Sequence, residues 1–275
     1  MSADHPELFD LGRPIKLGEY TRDLWARRDY LLTVPRRESR ERNADFLFGQ
    51  LWLIINPALM ITVYFVVFGV IIQSNRGSAD FLSRLVVGVL FFRMTQAVIQ
   101  ASTSSVERSR GLIRSIQFPR ALLPLGIVIG QMYSFFPSLI VMFVVVGLAG
   151  VEPMWQWLLL PAVLLAHFLL NTGFSLVAAR AGFAFNDLGP LLTHLFRVLM
   201  YGSGVIFPIE DYIESERVLN YLAINPIYAI IGVTRWVVID SDLRSAQLWS
   251  LVIWCLLIVP IGFRAFFGAE RRYGE

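Results

Sequence analysis

The chain has 275 residues, 56% hydrophobic and 16% charged, with a mean hydropathy of +0.59 and a formal net charge of +3. Soluble domains sit near about 45–50% apolar and about 25% charged, and here the surplus lies in long apolar runs, which excludes an ordinary soluble domain. The single cysteine, Cys255, lies inside such a run and excludes an intrachain disulfide or a cysteine-based metal site. The arginines are scattered among apolar segments, so a nucleic-acid surface is excluded as well.

Residues 1–47 are polar and read as a cytosolic N-terminal arm; none of their apolar runs reaches the length of a secretory signal. Leu17, Tyr20, Leu24 and Leu31 recur at helical spacing and Pro35 ends the pattern, which predicts an amphipathic interface helix over 17–34, lying at the membrane surface or docked on a partner. Residues 48–275 form one membrane domain. Six spans are predicted, each of about 20 residues and long enough at ~1.5 Å per residue to cross a ~30 Å hydrocarbon core. They cover 51–72, 85–105, 122–148, 157–179, 188–205 and 248–267. Pro124 and Pro137 mark kinks in the third. Between the last two spans, the apolar piece 221–239 is broken by Asn225-Pro226, which suits short re-entrant helices better than a seventh crossing. The predicted class is therefore an all-α polytopic membrane protein.

Lysine and arginine set the orientation. Seventeen basic residues fall on the side of the N-terminus, among them Arg22, Arg27, Arg28, Arg108, Arg110, Arg114, Arg120, Arg180, Arg264 and Arg272; five fall opposite, namely Arg76, Arg84, Arg217, Arg235 and Arg244. Both termini are expected in the cytosol, with the acidic cluster Glu210, Asp211, Glu214 and Glu216 outside.

Several chemistries lack their residues. A P-loop needs a lysine after a glycine, and the one lysine, Lys16, follows Pro14 and Ile15, so ATP hydrolysis would belong to another chain. His167 and His194 have no His or Glu four residues on, so no helix-borne metal pair is built. A membrane glycosyl- or prenyltransferase would need paired carboxylates on the cytosolic side, yet Asp240 and Asp242 fall outside and Asp187 stands alone. A secondary transporter would show two related halves, which are absent. Arg93 and Arg197 fall within spans, where a charge faces a partner, a cavity or the interface.

Short motifs in a fixed order resemble the permease subunit of ABC-2-type exporters that move O-antigen, capsule, teichoic acid or galactan chains. They are Arg37-Glu38, Phe48-Gly49-Gln50-Leu51-Trp52, Asn56-Pro57, Val66-Val67-Phe68-Gly69, Phe118-Pro119-Arg120 with Leu123-Pro124, Asn186-Asp187 and Asn225-Pro226. Glu38, Asn43 and Phe48 depart from the family pattern, which has Asp, an aromatic residue and Leu there. The resemblance implies a homodimer in a bacterial plasma membrane, flanked by two copies of an ATP-binding subunit that carry ATP and Mg, with a lipid-linked polysaccharide as cargo. A lipid or drug is the alternative cargo. It also implies that the loop between the second and third spans is a coupling helix seated on the ATPase, with Arg110, Arg114 and Arg120 as rim charges, Ile113 and Ile116 as apolar anchors, and Phe118-Pro119 closing it. A glycan path needs aromatic faces, and Tyr64, Phe65, Phe68, Phe91, Phe92, Phe196 and Tyr201, with Arg93 and Arg197, are the candidates. Packing and lipid contact compete for most of those aromatics, and the positive-inside rule alone competes for the loop arginines.

Overall fold

A computed structural model describes residues 17–31, 33–35, 48–71, 80–116, 118–185, 187–206, 209–211, 213, 215–270 and 272–274. The Arg37-Glu38 motif, Asn43, Arg76, Asn186 and Glu214 lie outside them. Among the described residues there is no strand, and the all-α class holds.

Helix α1 covers Leu17–Ala26, and after a turn at Arg27 further helical residues lead to Pro35. Five helices have the length and apolarity to cross a membrane: α2 (Gly49–Ile71), α3 (Phe81–Thr103), α6 (Leu122–Leu148), α7 (Trp155–Ala184) and α11 (Ser245–Phe267). Two short helices, α4 (Ser105–Arg108) and α5 (Arg110–Ser115), fill the loop between α3 and α6. Helix α8 is Leu188–Gly202, followed by α9 (Glu216–Leu222) and α10 (Pro226–Ile239).

Burial ranks the spans. About two thirds of the apolar window of α3 is buried (67%), against 11% for α2 and 22% for α11. Helix α3 is thus the central post, packed by α6, α7, α8 and α10, while α2 and α11 lie at the margin. Glycines bring the posts into close contact. A Cβ on Gly262 of α11 would meet the Gly173 carbonyl of α7 at 2.6 Å, and one on Gly182 would collide with the Thr103 carbonyl at the end of α3. Small residues at crossings let backbones approach where lipid supplies no hydrophobic drive. Buried polar pairs join the same helices: Thr95 Oγ1 lies 2.8 Å from His167 Nε2, and Ser102 Oγ lies 2.7 Å from Ser175 Oγ, which donates to the Pro124 carbonyl. His167 is therefore an interhelical hydrogen-bonding group, whereas His194 on α8 is exposed.

The region expected to hold the fifth span is shorter than predicted. Helix α8 has 15 residues, about 22 Å, which falls short of the ~30 Å core. Ser203, Gly204, Val205 and Ile206 follow it and are buried, with Gly204 at φ +63 ending the helical path. The α9–α10 pair is bent by 105°. Its two ends meet the start of α11: Arg244 pairs with Glu216 of α9 at 2.6 Å, and α10 ends at Ile239, five residues before Arg244. Its tip reaches inward, where Trp254 Nε1 donates to the Ile224 carbonyl at 2.8 Å. Trp254 is nine residues into α11, a depth of about 13 Å. Asn225 at the tip also donates to Ser203 Oγ at 2.8 Å, so α8 ends where the hairpin turns. The expected re-entrant helices are present, and they complete the thickness that α8 leaves uncovered. Arg235 of α10 closes the top by donating to the Arg84 and Val205 carbonyls.

Candidate functional site

The N-terminal helix, the α3–α6 loop and the C-terminal tail converge at one end of the bundle, the end that carries Arg108, Arg110, Arg114, Arg120, Arg180 and Arg272. Tyr20 of α1 packs edge-on against the stacked rings of Phe267 and Phe263, with centroids 5.0 and 6.0 Å away. Its hydroxyl donates to Glu270 Oε2 at 3.0 Å and accepts from the Ala121 amide at 3.0 Å. Glu270 Oε1 accepts from the Arg120 amide at 2.9 Å, and the Arg120 guanidinium donates to the Glu270 carbonyl. One carboxylate thus ties α1, the entry to α6 and the tail after α11. Burial outweighs these hydrogen bonds and the Arg120 charge, holding the Glu270 carboxyl above its ordinary value of 4.5. Burial first, then the neighbouring Glu270 charge, pushes the Tyr20 hydroxyl up as well. Beneath the network a second apolar cluster, separate from the span core, packs Tyr20, Val106, Ile113, Ala121, Phe266 and Tyr273.

The structure divides the seven coupling candidates. Ile116 is extended (φ −139, ψ 147) and 52% exposed, and Arg110 and Arg114 are exposed beside it. Arg110 pairs loosely with Glu107 at 3.9 Å. With Arg272, Phe183 and Tyr273, the two arginines line a hollow of about 260 Å³. Ile113, expected as an outward anchor, is only 8% exposed and belongs to the apolar cluster; the apolar neighbour facing out is Leu112. Arg120, expected at the rim, is turned inward onto Glu270, while Pro119 is buried and Phe118 half-buried against the same cluster. The physical reason is where the short helix ends. Ile113 is the one residue of this six-residue helix that packs into the cluster, and Ile116 leaves the helical path for extended backbone, so it does not repeat that inward face.

The path candidates divide as well. Phe91, Phe92 and Phe196 are at most 2% exposed and belong to the core. Phe91 stacks on His167 at 4.9 Å and meets Phe135 edge-on at 5.2 Å, and Phe92 meets Phe196 edge-on at 5.9 Å. These three line no surface of this chain, because packing helices bury an aromatic ring as readily as they offer it to a sugar. Tyr64 and Phe68 stack at 6.3 Å on the last turns of α2, beside half-buried Phe65, where the helix widens to π geometry at Phe65–Ile71. Tyr64 reaches Met200 Sδ at 3.6 Å, so α2 and α8 are neighbours there. Arg197 and Tyr201 are exposed on α8. Arg93 is exposed in a different place, a groove of about 580 Å³ between α2, α3 and α6 whose other polar lining is Asn56, Gln96, Gln100, Gln131, Ser134 and Ser138.

Tyr20 and Glu270 were missed as site residues. Tyr20 stands on the amphipathic row of α1, a usable signal, whereas a lone acid after the last span carries none. Among the described residues no group of His, Cys, Asp or Glu is arranged to hold a metal ion.

Known proteins share this arrangement of sequence. The O-antigen export system permease protein RfbA of Myxococcus xanthus is 25% identical over 82% of this chain and 86% of its own length. The protein of the same name from Klebsiella pneumoniae is 21% identical over 90% and 94%, and the polysialic acid transport protein KpsM of Escherichia coli is 22% identical over 84% and 89%. Residues 30–239, more than half of the sequence and including α2–α10, match the ABC-2 type transporter family, to which this chain belongs.

Proposed function

We propose that this chain is the permease subunit of an ATP-driven exporter that carries a lipid-linked polysaccharide across a bacterial plasma membrane. The observation that carries the reading is likeness over more than four fifths of the chain to permeases named for two chemically different glycans, O-antigen and polysialic acid. A common task for such proteins is passage of a long polar polymer rather than recognition of one sugar.

The chain works as a homodimer with two ATP-binding subunits, which hold ATP and Mg, because its own sequence has no P-loop. The Arg-rich end faces the cytosol, as the positive-inside rule requires, and there the α5 loop meets the ATPase. Leu112 and Ile116 are the apolar contacts, 38% and 52% exposed, with Arg110 and Arg114 around them. Closure of the ATPase pair pushes this loop, and the Tyr20–Glu270–Arg120 network carries the displacement into α1, α6 and α11. Tyr64, Phe65, Phe68 and Tyr201, on the neighbouring α2 and α8, are the aromatic faces left for a glycan once the core rings are set aside.

The test is genetic and chemical. Depletion of this chain in its own host should leave lipid-linked polysaccharide trapped inside the cell and remove it from the surface, as read by surface labelling and by lipid extraction. Unchanged surface polysaccharide after depletion overturns the assignment.

A further inference from the structure

The groove between α2, α3 and α6 carries chemistry that the coupling surface does not use. Arg93 is the thirteenth of 23 residues in α3, about 18 Å from one end and about 15 Å from the other, so it sits at mid-membrane depth. The guanidinium is exposed and donates to Gln96 Oε1 at 3.0 Å. None of the residues lining the groove is a carboxylate. A guanidinium at such depth is strongly disfavoured unless an anion or water faces it.

The neighbours sharpen the choice. Gln96 gives its carbonyl oxygen to Arg93 and so has its NH2 left to donate. Gln100, Gln131 and Asn56 add three more carboxamides from three helices. Arg93, Gln96 and Gln100 stand at i, i+3 and i+7 on one face of α3, a polar row running from mid-depth toward the Arg-rich end. One positive charge, a surplus of donors and no acid suit an oxygen-rich anion. A neutral sugar brings as many donors as acceptors and leaves the charge unmatched. Beside the row, Leu59 and Val63 line the groove while 54% and 59% exposed, an apolar strip on which a hydrocarbon chain can lie.

We propose that this groove binds the phosphate or diphosphate ester headgroup of a membrane lipid, with Arg93 as the charged ligand and Gln96, Gln100, Gln131 and Asn56 donating around it. A guanidinium holds such a group bidentately, which an ammonium cannot do. Two lipids supply this chemistry: a prenyl diphosphate that anchors the cargo, a source that rests on the exporter reading, and an ordinary anionic phospholipid.

The test uses the full chain in dodecyl maltoside micelles, which carry no phosphate, with farnesyl diphosphate, farnesol and phosphatidylglycerol as probes. Farnesyl diphosphate should bind, and Arg93→Gln should weaken it at least tenfold, with Arg93→Lys in between. Gln96→Glu, which sets an acid beside an intact Arg93, should weaken it as well. Undiminished binding in Arg93→Gln and Gln96→Glu, or farnesol binding as tightly as the diphosphate, overturns the site. Failure of phosphatidylglycerol to compete supports the cargo anchor. Equal competition keeps the phosphate site and overturns the cargo as its source. Export measured in parallel separates the two readings. A wild-type chain that restores export while Arg93→Gln binds normally overturns the groove alone. A chain that binds the diphosphate and restores no export overturns the exporter alone.

Discussion

Replacing Glu270 by alanine removes the one carboxylate that joins α1, the entry to α6 and the C-terminal tail. Two donors lose their acceptor, the Tyr20 hydroxyl and the Arg120 amide. Tyr20 is 1% exposed, so water does not replace the lost partner, and its stranded hydroxyl costs about 1–3 kcal/mol. Arg120 is half-buried and recruits water more easily, which limits its share to about 1 kcal/mol. The total of about 2–4 kcal/mol corresponds to a fall in Tm of roughly 5–15 °C, at about 2–4 °C per kcal/mol. Tyr20→Phe strands the Ala121 amide instead, at a similar cost of about 1–3 kcal/mol. The two changes share one hydrogen bond, so the double variant should cost less than the sum by about 1 kcal/mol. Thermal unfolding of the full chain in detergent, followed by tryptophan fluorescence, measures all three variants. A Glu270→Ala protein melting within about 1 °C of wild type, or a cycle additive to about 0.5 kcal/mol, refutes the network. The sign of the pH effect follows from the raised carboxyl. The folded state holds the Glu270 proton more tightly than the unfolded state, so this group contributes most below its ordinary value of 4.5. That contribution is lost as pH rises through the folded value, and Glu270→Gln should flatten the slope.

Ile116→Asp puts a charge into the outward apolar contact at a cost of about 2–5 kcal/mol, at least a roughly 30-fold loss of association with the ATPase on co-purification, while the exposed position leaves this chain's own fold intact. In a Cys255→Ser background, an impermeant thiol reagent applied to intact cells should label Ser215→Cys and spare Ser109→Cys; the reverse pattern refutes the orientation. Gly182→Ala forces a methyl into the Thr103 carbonyl where α7 crosses α3, and should cost about 1–3 kcal/mol in the same unfolding assay, whereas Gly147→Ala, which meets nothing within 4 Å, should be neutral.

The spans were legible because the membrane imposes one pattern, a long apolar run, on every helix that crosses it. Helices α2, α3, α6, α7 and α11 all follow that pattern, and Asn225-Pro226 marked the hairpin tip because a proline ends one helix and starts another. The length of α8 was not legible. The apolar run continues through Ser203–Ile206, and hydropathy does not separate helical residues from buried irregular ones. At the site, residue type was legible and facing direction was not. Phe91 and Phe92 are buried while Arg93, the next residue, opens onto the groove, because a 100° step per residue separates core from surface on one helix. In a soluble protein polarity would show which face is buried, but here lipid and core are equally apolar, and that signal is lost. Ile113 and Ile116, three residues apart, face opposite ways for another reason that composition does not show: the helix ends at Ser115 and Ile116 is extended.

In the proposed exporter, the loop and the groove belong to one device because of how the chain connects them. The loop at 104–121 joins α3 to α6, and these are two of the three walls of the groove. Helix α3 is the most deeply packed span, so a push on the loop moves it as a rigid body rather than bending it. The third wall, α2, is the least buried, contains Pro57 within its helix and ends in π geometry. Such features mark where a helix bends and where functional change concentrates. Displacement at the cytosolic end therefore alters the gap between the stiff wall α3 and the compliant wall α2. Arg93 stands on the stiff wall and Asn56 on the compliant one, so closure and opening change how many donors face a bound headgroup at once. A differential number of contacts in the two states is what allows ATP-driven motion to bind a lipid headgroup in one state and release it in the other.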